Sequence, residues 1–286
     1  MTEAERVLLD LLDIERLEVD LFRGTGSGGE TPMRIFGGQV IAQALAAAYR
    51  TVDDRLCHSL HAYFIRPGDP SIPVIYQVDR ARDGGSFTTR RVVAIQHGKQ
   101  ILNMSASFHI QDEGWDHHHQ MPRMEAPETY PSRADLRMQY VDQVPEKLRG
   151  ELLRDRPIEV REASHLNPFN PEKSDDRNQV WFRMNAATNA DQVTQHLLLA
   201  YASDMYLMSS GMRPHGLSWF TGEVNGASLD HALWFHAPVH FENWHLYSMD
   251  SPWGGRGRSF NRGSIYAQDG TLIASVAQEG LMRKAQ

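Results

Sequence analysis

Three side chains stand where the surrounding pattern calls for apolar or inert residues, and together they could activate a water. They are Asp204, Ser228 and Gln278. Asp204 shares one helical stripe with Leu197, Tyr201 and Met208 in an apolar segment. A carboxylate there is rarely fully buried without partners. Gln278 takes the inner-face place on a strand that Ala106 takes on the corresponding strand earlier in the chain. A buried amide costs roughly 1–3 kcal/mol unless it is hydrogen-bonded, so Gln278 calls for a partner inside. Ser228 opens a strand, opposite His58 or Ser59 of the first half. A carboxylate can take a proton from water, and a hydroxyl and an amide can hold that water for attack. The same three groups could equally form a buried polar knot that fixes a helix in its sheet.

The comparison between strands is meaningful because the chain repeats itself. His58–Pro67 resembles Ser228–Pro238, with Phe64 and Pro67 matching Phe235 and Pro238 at an offset of 171. Ser86-Phe87 matches Ser259-Phe260 at 173, and Gly98 and Ile101 match Gly270 and Ile273 at 172. Each half then reads as the same series of elements. In the first, an opening strand over Ile14–Phe22 precedes a glycine-rich loop and an alanine-rich helix, Gly38–Tyr49. Strands follow over Cys57–Arg66, Val74–Arg82, Ser86–Gln96 and Gln100–Ile110. In the second, strands near Pro157–His165 and Val180–Asn185 lead to one helix, Asp191–Met208. Strands then run over Ser228–His236, Trp244–Ser251, Ser259–Gln268 and Thr271–Met282. Asp269-Gly270 between the last two is a strong hairpin signal, because both turn positions need positive φ.

Both helices are apolar nearly all round, so each must be wrapped by other elements rather than laid on a surface. This predicts an α+β fold of two tandem units, each a long antiparallel sheet around a central helix. The expected boundaries are 1–110 for the first unit, 111–155 for a linker rich in Pro, charge and His, and 156–286 for the second. A short helix is expected at Arg133–Leu148 and another at Glu3–Leu12. On the final strands, Leu102, Met104, Ala106 and Phe108 should face inward, with Leu272, Val276 and Gln278 as counterparts. The outer faces then carry Ile101 and Ile273, which are costly to leave wet at ~25 cal/mol per Å². That argues for a homo-oligomer, dimer or tetramer, stacked through sheet faces.

Composition narrows the function classes. The chain has 286 residues with 36 acidic and 29 basic side chains, a formal charge of −7. No basic footprint for nucleic acid is present. The single cysteine, Cys57, leaves no intramolecular disulfide or multi-cysteine zinc site and fits a reducing compartment. No apolar run approaches the ~20 residues of a membrane span, and Met1–Arg6 lacks a basic leader region. The expectation is a cytoplasmic protein.

Several motifs fail on closer reading. Gly24–Gly29 matches a dinucleotide-binding glycine pattern, but Pro32 follows and no helix opens at once. His117-His118-His119 lies in a polar linker without convergent ligands. Asp230-His231 beside Ser228 suggests a Ser-His-Asp triad. Neighbours on a strand point to opposite faces, however, so the three cannot converge without a bulge.

Five segments carry a resemblance over essentially the whole chain. They are Phe36–Val40, His58–Asp69, Ala200-Tyr-Ala-Ser-Asp204, Leu229–His236 and Ser275-Val-Ala-Gln-Glu-Gly280. Together they resemble the acyl-CoA thioesterase II family, whose members are double hotdogs. The resemblance implies hydrolysis of acyl-CoA to free acid and coenzyme A, with no metal or redox cofactor. It places the family's catalytic Asp, Thr or Ser, and Gln on Asp204, Ser228 and Gln278. Ser228 keeps the hydroxyl but lacks the methyl that restricts χ1 in the commoner Thr. On this reading Asp204 is general base, Ser228 and Gln278 hold the water, and N–H groups at a helix N-terminus receive the developing oxyanion. Direct attack by Asp204 through an acyl anhydride is the other route open to the same residues. His58, Arg66, Arg90, Arg256 and Arg258 are candidate substrate contacts, the arginines for the phosphates of coenzyme A. The alternatives are a 2-enoyl-CoA hydratase-like double hotdog and a non-catalytic acyl-CoA-binding protein.

Overall fold

The structure is a computed structural model that describes residues 1–26 and 34–285. Half of the Gly24–Gly29 motif, residues 27–29, therefore lies outside the described residues. Glu3–Leu12 forms α1, started by a capping box in which Thr2 Oγ1 accepts from the Glu5 amide and the Glu5 side chain accepts from the Thr2 amide. The expected first strand is instead two short ones, β1 (Glu15–Glu18) and β2 (Leu21–Gly24). Asp20, at φ 59°, turns the chain between them. Helix α2 (Gly37–Tyr49) follows, buried along nearly its whole length. The strands β3 (Leu56–Phe64), β4 (Val74–Asp83), β5 (Phe87–Gln96) and β6 (Lys99–His109) then complete the first half.

The second half repeats the plan with β7 (Glu159–Glu162), β8 (Asn178–Arg183) and α5 (Gln192–Ser203). After a short α6 (Leu207–Met212) come β9 (Val224–Ser228) and β10 (Asp230–Phe235). The last three strands are β11 (His245–Gly255), β12 (Arg258–Ala267) and β13 (Leu272–Lys284). All pair antiparallel in one sheet, twelve of them in the order β1-β2-β4-β5-β6-β3-β10-β13-β12-β11-β8-β7, with β9 pairing β13 off this path. The order reads the same from either edge once α2 is matched with α5. The seam is the β3–β10 pair, where Leu60 faces Leu233. This is the double hotdog. Helices α2 and α5 pack against each other antiparallel on the enclosed face. Phe36 at the start of α2 meets Tyr201 near the end of α5, and Tyr49 at the end of α2 meets His196 near the start of α5.

Two departures from the sequence-based expectations bear on function. The helix expected over Asp191–Met208 breaks after Ser203, with Asp204 as its C-cap. Tyr206 takes a left-handed backbone, φ 64°, which no continuing α-helix allows. Its hydroxyl donates to Glu162 at 2.9 Å. The strand expected over Ser228–His236 is likewise broken. Ser228 faces Gly280 and Ala232 faces Ala277, so this edge holds one residue more than β13 between the two pairings. That is a bulge, and it shifts the facing of side chains by one position.

The linker is more than a connector. It supplies Met121, Met124 and Tyr130 to a separate cluster with Trp181, Trp244, Leu246 and Tyr266. Leu272, expected inside beside Val276, packs on this cluster instead. The expected helix at Arg133–Leu148 is two, α3 (Arg133–Tyr140) and α4 (Glu146–Leu152), because Pro145 cannot continue a helix. Ile101 and Ile273, expected on the wet face, are 5% and 3% exposed. That removes the isoleucine argument for an oligomer. No helix among the described residues is long and apolar enough to cross a membrane.

Candidate active site

The end of helix α5 at Asp204 has a positive consequence. A residue inside a helix keeps its side chain beside the helix axis. A C-cap residue can turn its carboxylate across the end of α5 toward the start of α2, which comes from the other half of the chain. Asp204 Oδ2 accepts from the Gly38 amide at 2.9 Å. Oδ1 accepts from Gln278 Nε2 at 2.8 Å and, more weakly, from Ser228 Oγ at 3.4 Å. The three residues singled out by sequence are thus brought together, with a backbone N–H that sequence reasoning had not located. Gly37 and Gly38 make this approach feasible. A Cβ on Gly37 would lie 2.6 Å from Asp204 Oδ2, and one on Gly38 would strike the Tyr201 carbonyl.

Electrostatics favour a base that works near neutral pH. The Asp204 side chain is 5% exposed. Burial pushes its pKa from the ordinary 3.8 up to about 6, while the hydrogen bonds from Gln278, Gly38 and Ser228 and the positive charge of Arg34 pull the other way. Desolvation outweighs these donors, so the group stays basic enough to accept a proton yet is ionised above pH 6.

The bulge also decides the triad question. Asp230 turns outward, where its Oδ1 accepts from the Glu279 amide at 2.7 Å. His231 turns inward and is fully enclosed. Its Nε2 lies 2.9 Å from Ser203 Oγ and its Nδ1 lies 4.0 Å from Asp204 Oδ1. Burial holds its pKa down at about 3, so it is neutral. A Ser-His-Asp relay through Asp230 is not assembled. The inward facing of His231 was invisible in the sequence because it depends on the extra residue at the bulge.

The candidate substrate contacts fare unevenly. Arg90 is corrected: it is 1% exposed, with Nε donating to Thr51 Oγ1 at 2.8 Å and Nη2 to Asp83 at 2.6 Å. A guanidinium so enclosed cannot meet a phosphate. His58 stands apart from the Asp204 site. Phe64, at the far end of β3, borders the Asp204 site, and six residues of strand place His58 roughly 20 Å away. There its Nε2 lies 2.8 Å from Ser107 Oγ, beside a separate cavity of about 900 Å³ at the opposite end of the helix pair. Arg66 is exposed, with Nη1 donating to the Gln100 carbonyl at 2.8 Å. Arg256 sits in a tight hairpin turn rather than a flexible loop, with Arg256 at φ 51° and Gly257 at φ 75°, and Arg258 opens the strand after it. Arg258 pairs with Glu279 at 3.2 Å, on the strand that carries Gln278. Among the described residues no group of three or more His, Cys, Asp or Glu could hold a metal, which leaves His117–His119 without a ligand set.

Comparisons with known proteins agree with this geometry. The family profile "Acyl-CoA thioesterase" matches residues 149–281, and "Acyl-CoA thioesterase N-terminal domain" matches residues 28–109. The chain is 38% identical to acyl-CoA thioesterase 2 of Haemophilus influenzae, over 99% of both chains. It is 36% identical to human acyl-coenzyme A thioesterase 8, over 96% of this chain and 88% of that one. An acyl-CoA thioesterase II from Mycobacterium marinum superposes with a TM-score of 0.78 at 37% identity, covering 98% of each chain. A hotdog protein from Alicyclobacillus acidocaldarius, 20% identical, shares the fold with a TM-score of 0.76. With both halves matched and the similarity running end to end, the chain belongs to the acyl-CoA thioesterase family and is a thioester hydrolase.

Proposed function

We propose that the chain hydrolyses acyl-CoA thioesters to free fatty acid and coenzyme A, with Asp204 as general base and Ser228 and Gln278 as its partners. The observation that carries this reading is the carboxylate itself, raised to about 6 by burial and anchored at the start of α2. Asp204 takes a proton from water as the water oxygen bonds to the thioester carbonyl carbon. Gln278 and Ser228 hold the carboxylate and order the water beside it. The carbonyl oxygen becomes negative and is met by the N-terminal amide of α2 at Gly37, where the helix dipole adds to the hydrogen bond. The C–S bond then breaks with its electron pair on sulfur. Asp204 returns its proton to that sulfur, giving coenzyme A and the acid.

His231 stands near Asp204, as a hydratase pair would require, but its ring is sealed from any substrate. A thiol-release assay across acyl-CoA chain lengths tests the proposal. Release of free thiol that depends on Asp204 is expected. Loss of an enoyl chromophore without thiol release, or binding without turnover, would overturn it.

A further inference from the structure

The scheme above leaves one buried group beside the base unused. His231 Nε2 lies 2.9 Å from Ser203 Oγ, and Ser203 gives its single hydroxyl proton to the Ala200 carbonyl at 2.9 Å. Ser203 Oγ therefore accepts from the histidine, and Nε2 carries the ring proton. The Tyr247 hydroxyl donates to the Ser203 carbonyl at 2.7 Å and ties the same residue to β11. Nδ1 is left as a bare lone pair. Among the described residues it has no hydrogen-bond partner; it is buried and stands 4.0 Å from Asp204 Oδ1. An unsatisfied buried acceptor costs roughly 1–3 kcal/mol, so its persistence beside a reactive group has to be explained. An ionised Asp204 has no proton to offer it. A protonated Asp204 has one.

We propose that His231 is a positioning residue for Asp204: its Nδ1 accepts the hydrogen bond of the carboxylic acid that forms when Asp204 takes the proton from the attacking water. This rests on Asp204 being the general base. The proton count is unchanged by it. Water loses one proton to Asp204, the same proton later goes to sulfur, and His231 gains none at any stage. The 4.0 Å gap must close to the hydrogen-bonding range of about 2.5–3.0 Å, a small rotation for a carboxylate at a helix end. Two effects have one sign. Facing the anion, the lone pair disfavours the charged form; facing the acid, it accepts a hydrogen bond. Both raise the proton affinity of Asp204.

Among the described residues, the other groups that face the pair come from four elements and the segment before α2. Arg34, ahead of α2, lowers that affinity by its charge. Gly38 on α2, Gln278 on β13 and Ser228 on β9 are neutral donors to the carboxylate. Tyr247 on β11 has its hydroxyl proton committed to Ser203. The bulge between Ser228 and Ala232 places Ser228 and His231 on the same inner face, so the two approach Asp204 together.

The test is the pH profile of thiol release in three variants, with thermal unfolding recorded for each. His231→Phe keeps a ring of similar size and removes the lone pair. Ser203→Ala keeps the imidazole but removes the oxygen that fixes its tautomer, which frees Nδ1 to carry the proton. In His231→Phe the acid-side midpoint of kcat should fall by about half a pH unit or more. Its kcat at pH 8 should fall roughly tenfold, with KM changed less than about twofold. Ser203→Ala should move the midpoint in the same direction, and it carries the test if His231→Phe fails to fold. An unmoved midpoint with only a lower Tm would assign His231 a purely structural role and overturn the proposal. Asp204→Asn, assayed in parallel, separates the two readings. If it retains activity, the base assignment and this proposal both fall. If it is inactive while the His231→Phe midpoint is unmoved, this proposal falls alone.

Discussion

Replacing Asp204 by Asn should make the protein slower and more stable at once. The side chains are nearly the same shape, and the site can accommodate the amide. Oδ1 of the new Asn takes the Gly38 N–H, and its NH2 faces Gln278. Gln278 Oε1 is buried without a partner among the described residues, so a flip of that amide supplies the acceptor the Asn needs. What changes is the charge. The carboxyl titrates at 3.8 in an open chain and at about 6 in the fold. Because the folded value is the higher one, the native state binds the proton more tightly. The native protein is then favoured at low pH, and this contribution is lost as pH rises from about 4 through 6. At pH 8 holding the buried anion costs about 3 kcal/mol, at 1.36 kcal/mol per pKa unit. Asn does not titrate. The gap in unfolding free energy between variant and parent should open from near zero at pH 4 to about 3 kcal/mol at pH 8, in favour of the variant. Urea unfolding followed by tryptophan fluorescence at several pH values measures it. Thiol release should fall by at least roughly 10²-fold in the same variant. A stability gap independent of pH, or activity within tenfold of the parent, would refute the reasoning.

The remaining predictions concern the neighbours of that carboxylate and the outer surface. Ser228→Thr should retain turnover and Ser228→Ala should lose much of it in the thiol assay; equal rates would show that the hydroxyl is unused. Gly37→Ala should lower kcat at least roughly tenfold in a folded protein, because its Cβ would lie 2.6 Å from Asp204 Oδ2 and 2.9 Å from the Phe64 ring. Parental kcat in that variant would show that α2 does not need to approach Asp204. His58→Ala should leave kcat within about twofold, since His58 belongs to the opposite end of the helix pair. The outer face of the sheet still carries Tyr63 at 60% exposure beside the exposed His61, and we expect a second copy to cover it. Light scattering should then return a mass above 32.5 kDa, and a monomer mass would refute that expectation.

Much of the architecture was legible in the chain because it depends on short-range rules. Period-two alternation marked the long strands, all-round apolarity marked α2 and α5, and the repeat at an offset near 171 showed that the two halves share one plan. Comparing the halves also marked Asp204 and Gln278, since each breaks an apolar pattern that its counterpart keeps. What the sequence could not disclose depends on contacts between residues far apart in the chain. Helix α5 ends at Asp204 because Tyr206 is held in a left-handed backbone, and the carboxylate then meets Gly38, which lies 166 residues away. One extra residue against β13 turns His231 inward and Asp230 outward, and no alternation rule foresees where a bulge falls. Arg90 looked like a free cation by type alone, yet the fold encloses it against Thr51 and Asp83. Ile101 and Ile273 looked wet and are covered. In each case the residue type and its local period were plain from the sequence, while facing and partner were decided by the packing of one half of the sheet and its helix against the other.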